Sequence, residues 1–225
     1  MSSPTVSAAS TLTSRVLSFW FAGYTNFTLP VPQQALGLWF RGGKEMDEKI
    51  EHFFGKDLAA AAAGDPEYTA LASPSPTATP ESSTAYVILL DQFSRNVWRG
   101  TTRSFAQDEA ALAASRSLIA TSPEGVAALD PVHHAFLIMP FMHGECPSVQ
   151  EESVRRFEEL VSATKARSDP SAHPSVVSML ESFSTYAKKH RDDLVRFGRY
   201  PHRNEILGRE STEEEMEYLK AGGGF

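Results

Sequence analysis

The chain has 225 residues, and its 28 acidic side chains outnumber its 21 basic ones, which leaves a formal net charge of −7. An acidic balance argues against a nucleic-acid partner, because such proteins need a positive field to collect phosphates. A single cysteine excludes an intrachain disulfide framework, and no apolar run approaches the roughly 18 residues of a membrane span. The composition therefore predicts a soluble, globular and cytoplasmic protein with no nucleic-acid or membrane partner.

The first 14 residues are rich in Ser, Thr and Ala and contain no acidic residue. This composition is mildly similar to that of an organellar transit peptide, but no basic residue precedes Arg15, and such peptides are rich in Arg. We therefore expect residues 1–14 to form a disordered tail, and an organellar location stays open as an alternative.

Helical periodicity runs through most of the remaining chain. The stripe from Met46 to Leu58 repeats at helical spacing and predicts a helix that ends near Ala63. Ser104 and Gln107 form a possible capping box before an Ala-rich helix. Further helix starts are predicted at Asp130 with Pro131, at the capping box of Ser148 and Glu151, at Pro174, and at the capping box of Ser211 and Glu214.

Two segments test the assignment of an all-helical fold. The apolar run Tyr86–Leu90 resembles a strand, but it leads directly into polar residues, and a buried helix explains it equally well. The Pro/Ser/Thr-rich segment Leu71–Thr84 is predicted to be a low-complexity loop insertion. We predict an all-α fold in which residues 15–225 form a single domain of about eight or nine antiparallel helices.

Polar residues capable of chemistry concentrate in three places, and the first begins at Asp91. If this segment is helical, Asp91 and Arg95 lie four residues apart and can form an ion pair that only supports the helix. Alternatively, Arg95 and Arg99 form an anion clamp, because guanidinium groups match the geometry of carboxylate and phosphate. Both interpretations stay open at this point.

The second place is the end of an apolar helix at His143. The histidine can simply interact with the negative end of the helix dipole, or it can form an acid–base pair with Glu145. Residues two apart point to different faces of a helix, so the pair requires the helix to end at Gly144. Cys146 suggests a nucleophile near His143, but a lone cysteine is more often an inert small apolar residue.

The third place is the segment 188–209, which has seven basic and three acidic side chains and so a local net charge of +4. Such a positive island on an acidic protein favours a small anionic ligand over a polyanion. A metal set of His143, Glu145, His190 and His202 can be composed, but no spacing in the chain supports it. The sequence therefore implies no metal site and no cofactor.

Five blocks of sequence, in matching order and separation, resemble the domain of unknown function 924 family. The blocks are Val16-Leu17-Ser18-Phe19-Trp20-Phe21, Leu38-Trp39-Phe40, residues 90–100, Met142-His143 with Glu145, and residues 197–209. The resemblance covers roughly residues 16 to 225 and implies a tetratricopeptide-like fold in which antiparallel helices stack around a groove. It attaches no activity. This chain has Ser94 where the family usually has Pro, Gly144 in place of Ser, and Cys146 in place of an acidic or polar residue, which argues against a mechanism that needs Ser or Cys beside His143.

Three hypotheses follow. The first is a pocket protein or enzyme, of unknown reaction class, whose polar pocket binds or acts on a small anionic molecule. Its catalytic candidates are His143, Glu145, His190 and His202. Its ligand-binding candidates are Asp91, Gln92, Arg95, Asn96, Arg99, Arg199, Arg203 and Asn204.

The second hypothesis is a tetratricopeptide-like module that binds a peptide carboxylate and has no catalytic activity. In the third, the ion pairs merely connect helices around an ordinary core. A closed pocket surrounded by His143, Glu145, His202 and an Arg within about 8 Å would favour the first hypothesis. Polar groups along an open groove would favour the second, and polar groups that satisfy one another without a cavity would favour the third.

Overall fold

A computed structural model describes residues 8–72 and 74–224, and within them the chain is all-helical and contains no strand. An isolated bridge joins Ser168 and Ser171. The helices of seven residues or more are α1 (Ala8–Phe21), α2 (Gln33–Phe40), α3 (Lys44–Ala62), α5 (Pro80–Val87), α7 (Asp108–Thr121), α9 (Pro131–His143), α10 (Pro147–Lys165), α11 (Pro174–Phe197) and α12 (Glu213–Lys220). The shorter helices are α4 (Pro66–Thr69), α6 (Ser94–Val97) and α8 (Pro123–Ala128). The predicted all-α single domain is confirmed, whereas the tetratricopeptide-like arrangement stays a prediction.

Helix α1 begins at Ala8, inside the segment that was predicted to be disordered up to residue 14. Leu12, Val16 and Trp20 are spaced four residues apart and all three are buried in the core. Leu12 therefore belongs to the apolar stripe of the helix, and the sequence interpretation placed the boundary of the folded chain several residues too late. Residues 1–7 lie outside the described part of the chain.

The predicted loop insertion at 71–84 ends earlier than expected, because α5 begins within it. Thr79 and Ser82 form a reciprocal capping box, with backbone-to-hydroxyl distances of 2.9 and 3.1 Å, and Pro80 takes the first helical position. Ser83 and Thr84 are buried because their hydroxyl groups donate to the carbonyl oxygens of Leu71 and Pro80. Local hydrogen bonding thus lets polar residues of this segment enter the core.

The predicted start signals of the other helices have mixed outcomes. Asp130 caps α9 as predicted and accepts a hydrogen bond from the backbone of Val132 at 2.9 Å. The box at Ser104 and Gln107 is wrong, because the Ser104 hydroxyl donates to the carbonyl of Trp98 instead.

The two later capping boxes also need correction. Helix α10 begins at Pro147 without a side-chain cap, so the predicted role of Ser148 with Glu151 is wrong. The last box is displaced by one residue from the predicted Ser211 and Glu214, since Thr212 and Glu215 make the reciprocal bonds.

Helix α9 is the central helix of the fold. It packs against α5, α7, α10 and α11, and this position explains why it is apolar on all sides. Its residues from Ala135 to Met142 are all buried, and the helix ends at His143. No helix in the described part of the chain is long and apolar enough to cross a membrane.

Between α5 and α6 the chain forms a π-helical segment, Ile88–Phe93, which contacts α3, α7 and α9. The ambiguous run Tyr86–Leu90 is therefore a buried helix. Asp91 of this segment is 0% exposed, and it reaches the end of α9 at His143. Wide turns of this kind are rare and are frequently found at functional sites.

Candidate functional site

A partly open cavity of about 770 Å³ lies beside the end of α9, between α2, the π-helical segment, α11 and the C-terminal residues. Its polar lining consists of Gln92, Arg95, Arg99, Ser104, His143, His190, His202 and Arg203. Its large apolar lining residues are Trp39, Phe40, Phe105, Phe136, Met139, Met142, Phe183, Tyr186 and Ile206. Seven of the twelve predicted site residues thus surround the same cavity, although they come from four separate parts of the chain.

A short polar contact at the cavity joins His143 to Asp91. The Nδ1 atom of His143 lies 2.6 Å from Oδ1 of Asp91, and the histidine lines the cavity with 13% of its side chain exposed. Two further groups hold the carboxylate: Nε2 of Gln92 donates to Oδ2 at 2.5 Å, and Nη1 of Arg95 lies 3.3 Å from Oδ1. The ion pair between Asp91 and Arg95 that the spacing predicted is therefore present, within a larger network.

The protonation states of this pair follow from its surroundings. Burial opposes ionisation of Asp91, but His143, Arg95 and Gln92 outweigh it and lower the pKa to about 2. Burial and the positive charge of Arg95 lower the pKa of His143, although Asp91 opposes this shift. At neutral pH a carboxylate therefore faces a neutral imidazole, so Nδ1 must donate the hydrogen and Nε2 carries the lone pair.

Two arginines at the cavity share another acidic residue, Asp108, which the sequence analysis did not select. Asp108 lies 2.8 Å from Nη1 of Arg95 and 3.1 Å from Nη1 of Arg203. The Nη2 atom of Arg203 donates to the carbonyl of His143 at 3.0 Å, and its buried Nε makes no hydrogen bond within the described residues. Asp91, Arg95, Asp108, His143 and Arg203 are called the cavity network below.

Two side chains from other parts of the chain hold the end of α9 by donating hydrogen bonds to its backbone carbonyl groups. The helix leaves carbonyl groups without intrahelical partners, and Gln150 donates to those of Phe141, Met142 and Gly144 at 2.7–3.0 Å. The Tyr200 hydroxyl donates to the carbonyl of Met142 at 2.8 Å. These bonds fix the position of His143.

The other two cavity histidines are also neutral at neutral pH. Burial is the main cause that lowers the pKa of His190 well below its usual value, and burial together with Arg203 lowers the pKa of His202 to about 4. The ring of His190 lies 6.1 Å from that of His143. The arginine charge thus contributes to the low pKa of each histidine at the cavity.

Glu145 does not pair with His143, and this corrects the predicted acid–base pair. Helix α9 does end before Gly144, which has an extended backbone. Glu145 instead accepts the backbone N–H of Tyr200 at 2.7 Å and binds both terminal nitrogens of Arg209 at 2.8 and 3.0 Å. The carboxylate partner of His143 comes from Asp91, 52 residues earlier in the chain.

Four other predicted ligand-binding residues lie outside the cavity lining or are occupied by partners. Arg199 binds Glu215 at 2.7 Å, and Asn204 donates to the same carboxylate at 3.2 Å. Asn96 donates to the carbonyl of Gln92, and Arg99, although it lines the cavity, forms a two-pronged pair with Asp47. Glu145, Arg199, Asn204, Arg209 and Glu215 are called the C-terminal clamp below, because they connect the last part of the chain to itself and to the end of α9.

The positive island at 188–209 is largely neutralised by contacts with acidic residues from outside it. The pairs are Lys188 with Glu158, Arg196 with Glu214, Arg199 with Glu215, Arg203 with Asp108, and Arg209 with Glu145. Only Arg203 among these basic residues lines the cavity. The net charge of the sequence window therefore overstates the field available to a ligand.

Sequence reasoning missed three groups of residues at the site. Asp108 was hidden at the start of a helix, where an acidic residue is expected anyway, and Gln150 had no distinguishing pattern. Trp39 and Phe40 were not among the candidate site residues, although both line the cavity and Phe40 is 56% exposed. Asp91 was selected, and one sequence signal could also have indicated its pairing with a distant residue: a carboxylate inside an apolar run needs a partner. Within the described residues, no three His, Cys, Asp or Glu side chains are grouped so that they could hold a metal ion.

The fold and the site together define an all-helical protein with a buried Asp–His pair at the wall of a polar and aromatic cavity. The chain belongs to the family described as "Bacterial protein of unknown function (DUF924)", which matches residues 16–223 and confirms the resemblance seen in the sequence. A solved structure, that of Protein of Unknown Function ATU0120 from Agrobacterium tumefaciens, is similar to it with 28% identity and a TM-score of 0.71. That similarity covers 95% of this chain and 99% of the other. A comparison with curated proteins gave no match.

Proposed function

We propose that the protein binds a small anionic molecule in the cavity and that His143 exchanges a proton with it. The observation that carries this proposal is the 2.6 Å contact between His143 and the buried Asp91, on an imidazole that lines the cavity beside Arg95 and Arg203. A histidine oriented by a carboxylate is a common proton acceptor in enzymes. The proposal names no reaction class.

The electrostatics of the cavity network support an anionic ligand. Arg95 and Arg203 share the single carboxylate of Asp108, while Asp91 also serves His143. The positive charge of Arg95 lowers the pKa of His143, and that of Arg203 lowers the pKa of His202. A bound anion would reduce this repulsion, so its binding is expected to raise the pKa of both histidines.

Asp91 supports proton transfer in two ways. Its carboxylate accepts from Nδ1 of His143 and so keeps Nε2 unprotonated, which is the state that can take a proton. When Nε2 takes that proton, the negative charge of Asp91 at 2.6 Å stabilises the imidazolium. Asp91 is thus a positioning residue, and His143 is the group that would touch the ligand.

The alternative function is a tetratricopeptide-like module that binds a peptide without catalysis, and it requires polar groups along an open groove. Arg95, His143, His202 and Arg203 instead surround the same cavity. This convergence favours a small molecule. Glu145, which the original expectation placed at the pocket, takes no part in the proposal.

The proposal is tested by nitrogen NMR of the histidine side chains during titration with acetate and with inorganic phosphate. We expect His143 to show a proton on Nδ1 and none on Nε2, and we expect one of the anions to shift Nε2 of His143 and raise the pKa of His202. His134 is an internal control, because partial burial lowers its pKa to about 4 as well but it does not line the cavity.

Two results would overturn the proposal. One is a proton on Nε2 of His143 in the free protein, because the imidazole could then not act as the acceptor. The other is an absence of any shift at the cavity histidines in both titrations, or an equal shift at His134.

A further inference from the structure

The apolar part of the cavity forms a continuous aromatic wall. The ring of Trp39 lies 4.9 Å from that of Phe136, which lies 5.9 Å from Phe183, and Phe183 lies 5.8 Å from Phe40. Trp39 is held by a 2.8 Å hydrogen bond from its indole nitrogen to the carbonyl of Trp20. Three helices, α2, α9 and α11, therefore present one ordered apolar surface to the cavity that the cavity network also lines.

This wall continues to the protein surface. Phe40 is 56% exposed and Tyr186 is 46% exposed, and both line the cavity. Large apolar side chains left in contact with water beside a pocket are typical of a binding surface. On α11, Phe183, Tyr186 and His190 are spaced so that they share a helix face. The polar and apolar parts of the site are thus connected along one helix.

The size of the cavity exceeds what a simple anion needs. Its volume of about 770 Å³ lies in the range, several hundred Å³, that is typical of pockets for organic ligands. An anion the size of acetate or phosphate would occupy only the region near Arg203 and His143. The aromatic wall would then stay in contact with water, and its apolar surface would contribute nothing to binding.

We infer that the ligand is an amphipathic anion, with a carboxylate or phosphate head at the cavity network and an apolar chain against the wall from Trp39 to Phe40. This inference rests on the proposed function for the position of the head, while the position of the chain follows from the wall alone. Each CH₂ group that leaves water for this wall should tighten binding about fourfold.

Calorimetry with the full chain tests the inference through a series of straight-chain carboxylates from acetate to octanoate. The corresponding primary alcohols and alkyl phosphates are measured in parallel. We expect affinity to rise about fourfold per CH₂ until the cavity is filled, and we expect the alcohols to bind at least tenfold more weakly than the preferred anions. The comparison of carboxylates with phosphates identifies the head group.

A pair of matched variants locates the apolar chain of the ligand. Phe40→Ser removes an exposed ring at the cavity, whereas Phe53→Ser removes a 53% exposed ring that does not line it. We expect Phe40→Ser to weaken octanoate or octyl phosphate binding about fivefold to tenfold and to leave acetate or phosphate binding unchanged. Phe53→Ser should change neither, and circular dichroism checks that both variants fold.

The outcomes separate the inference from the proposed function. Affinity that does not depend on chain length, or equal effects of the two variants, would overturn the inference and leave anion binding intact. Alcohols that bind as tightly as the anions, with the chain-length dependence preserved, would support the apolar site and overturn the anionic head. If no member of any series binds, both are overturned.

Discussion

The cavity network and the C-terminal clamp contain the same kinds of residue but differ in what their groups contact. In the clamp, the Glu215 carboxylate receives four hydrogen bonds, from Arg199, Asn204 and the backbone of Thr212. In the cavity network, His143 and Arg203 line a cavity, and each retains a nitrogen that no described hydrogen bond uses. Residue type therefore did not distinguish a candidate site from a structural cluster here. Access to a cavity did, since Asn204 and Arg209 of the clamp also retain a polar atom that makes no described hydrogen bond.

The largest expected effect comes from removing the central carboxylate of the cavity network. Asp91→Ala removes a fully buried carboxylate and leaves Arg95, whose side chain is 20% exposed, with one fewer partner. Loss of one member of a buried charge pair costs about 3–5 kcal/mol. Urea unfolding should show this decrease in the free energy of unfolding. The control is Asp47→Ala, whose partner Arg99 is largely exposed, so that its loss should cost less than about 1 kcal/mol. Equal losses in the two variants would contradict the buried network.

A second pair of variants assigns binding to one region and stability to the other. Arg203→Met removes a guanidinium at the cavity and should weaken anion binding more than tenfold, since a charged hydrogen bond contributes about 1.5–3 kcal/mol. Glu145→Gln weakens the clamp and should lower the free energy of unfolding by about 1–2 kcal/mol while affinity changes less than twofold. If Glu145→Gln abolished binding, the predicted catalytic role of Glu145 would regain support.

The two regions should also lose stability in different pH ranges. The lowered pKa of His202, about 4, means that the unfolded chain takes up the proton first. The contribution of neutral His202 to the free energy of unfolding is complete above about pH 6.5 and declines as the pH falls towards 4. Glu215 has a pKa lowered to about 2, so its contribution is lost only as the pH falls below its usual value towards 2.

Urea unfolding between pH 7 and pH 4.5 tests this separation. His202→Asn should show a shallower decline than the unmodified protein over that range, because one histidine that charges only on unfolding has been removed. Glu215→Gln should lower the free energy of unfolding but leave the slope in that range unchanged. Identical slopes for His202→Asn and the unmodified protein would show that His202 titrates normally in the folded state.

The smallest expected effect lies at the helix starts. Thr212→Ala removes the capping box of α12 and should cost about 1 kcal/mol, with no change in anion binding. Ser148→Ala is the matched control, because the sequence predicts a box there but α10 has no side-chain cap. Thermal unfolding of the two variants measures the difference. A comparable loss in Ser148→Ala would restore the sequence interpretation.

Much of the fold could be predicted from the sequence, because its information is local. The stripe from Met46 to Leu58 predicted α3, and Asp130 with Pro131 predicted the start of α9. Errors occurred where two local signals compete within a few residues. Thr212 and Ser211 are both good caps, and the hydroxyl groups of the 71–84 segment found carbonyl partners that composition does not reveal.

The candidate site was only partly predictable, because its pairings span long separations in the chain. The sequence placed His143 and Arg95 among the candidates, but it paired His143 with its near neighbour Glu145. The observed pairs are 52 residues apart for Asp91 with His143 and 95 apart for Asp108 with Arg203. Such pairs depend on how α9 lies against the π-helical segment and α7, which no local pattern specifies.

The sequence by itself determined that this protein is helical, that α9 is an apolar helix, and that polar residues interrupt apolar helices at a few positions. Periodicity and capping act within a few residues, so the primary sequence is sufficient for them. Only the tertiary structure decided which charges meet. It neutralised most of the positive island at 188–209 with carboxylates from elsewhere and left Arg203 at the cavity. Electrostatic interactions depend on distance in space rather than on separation along the chain.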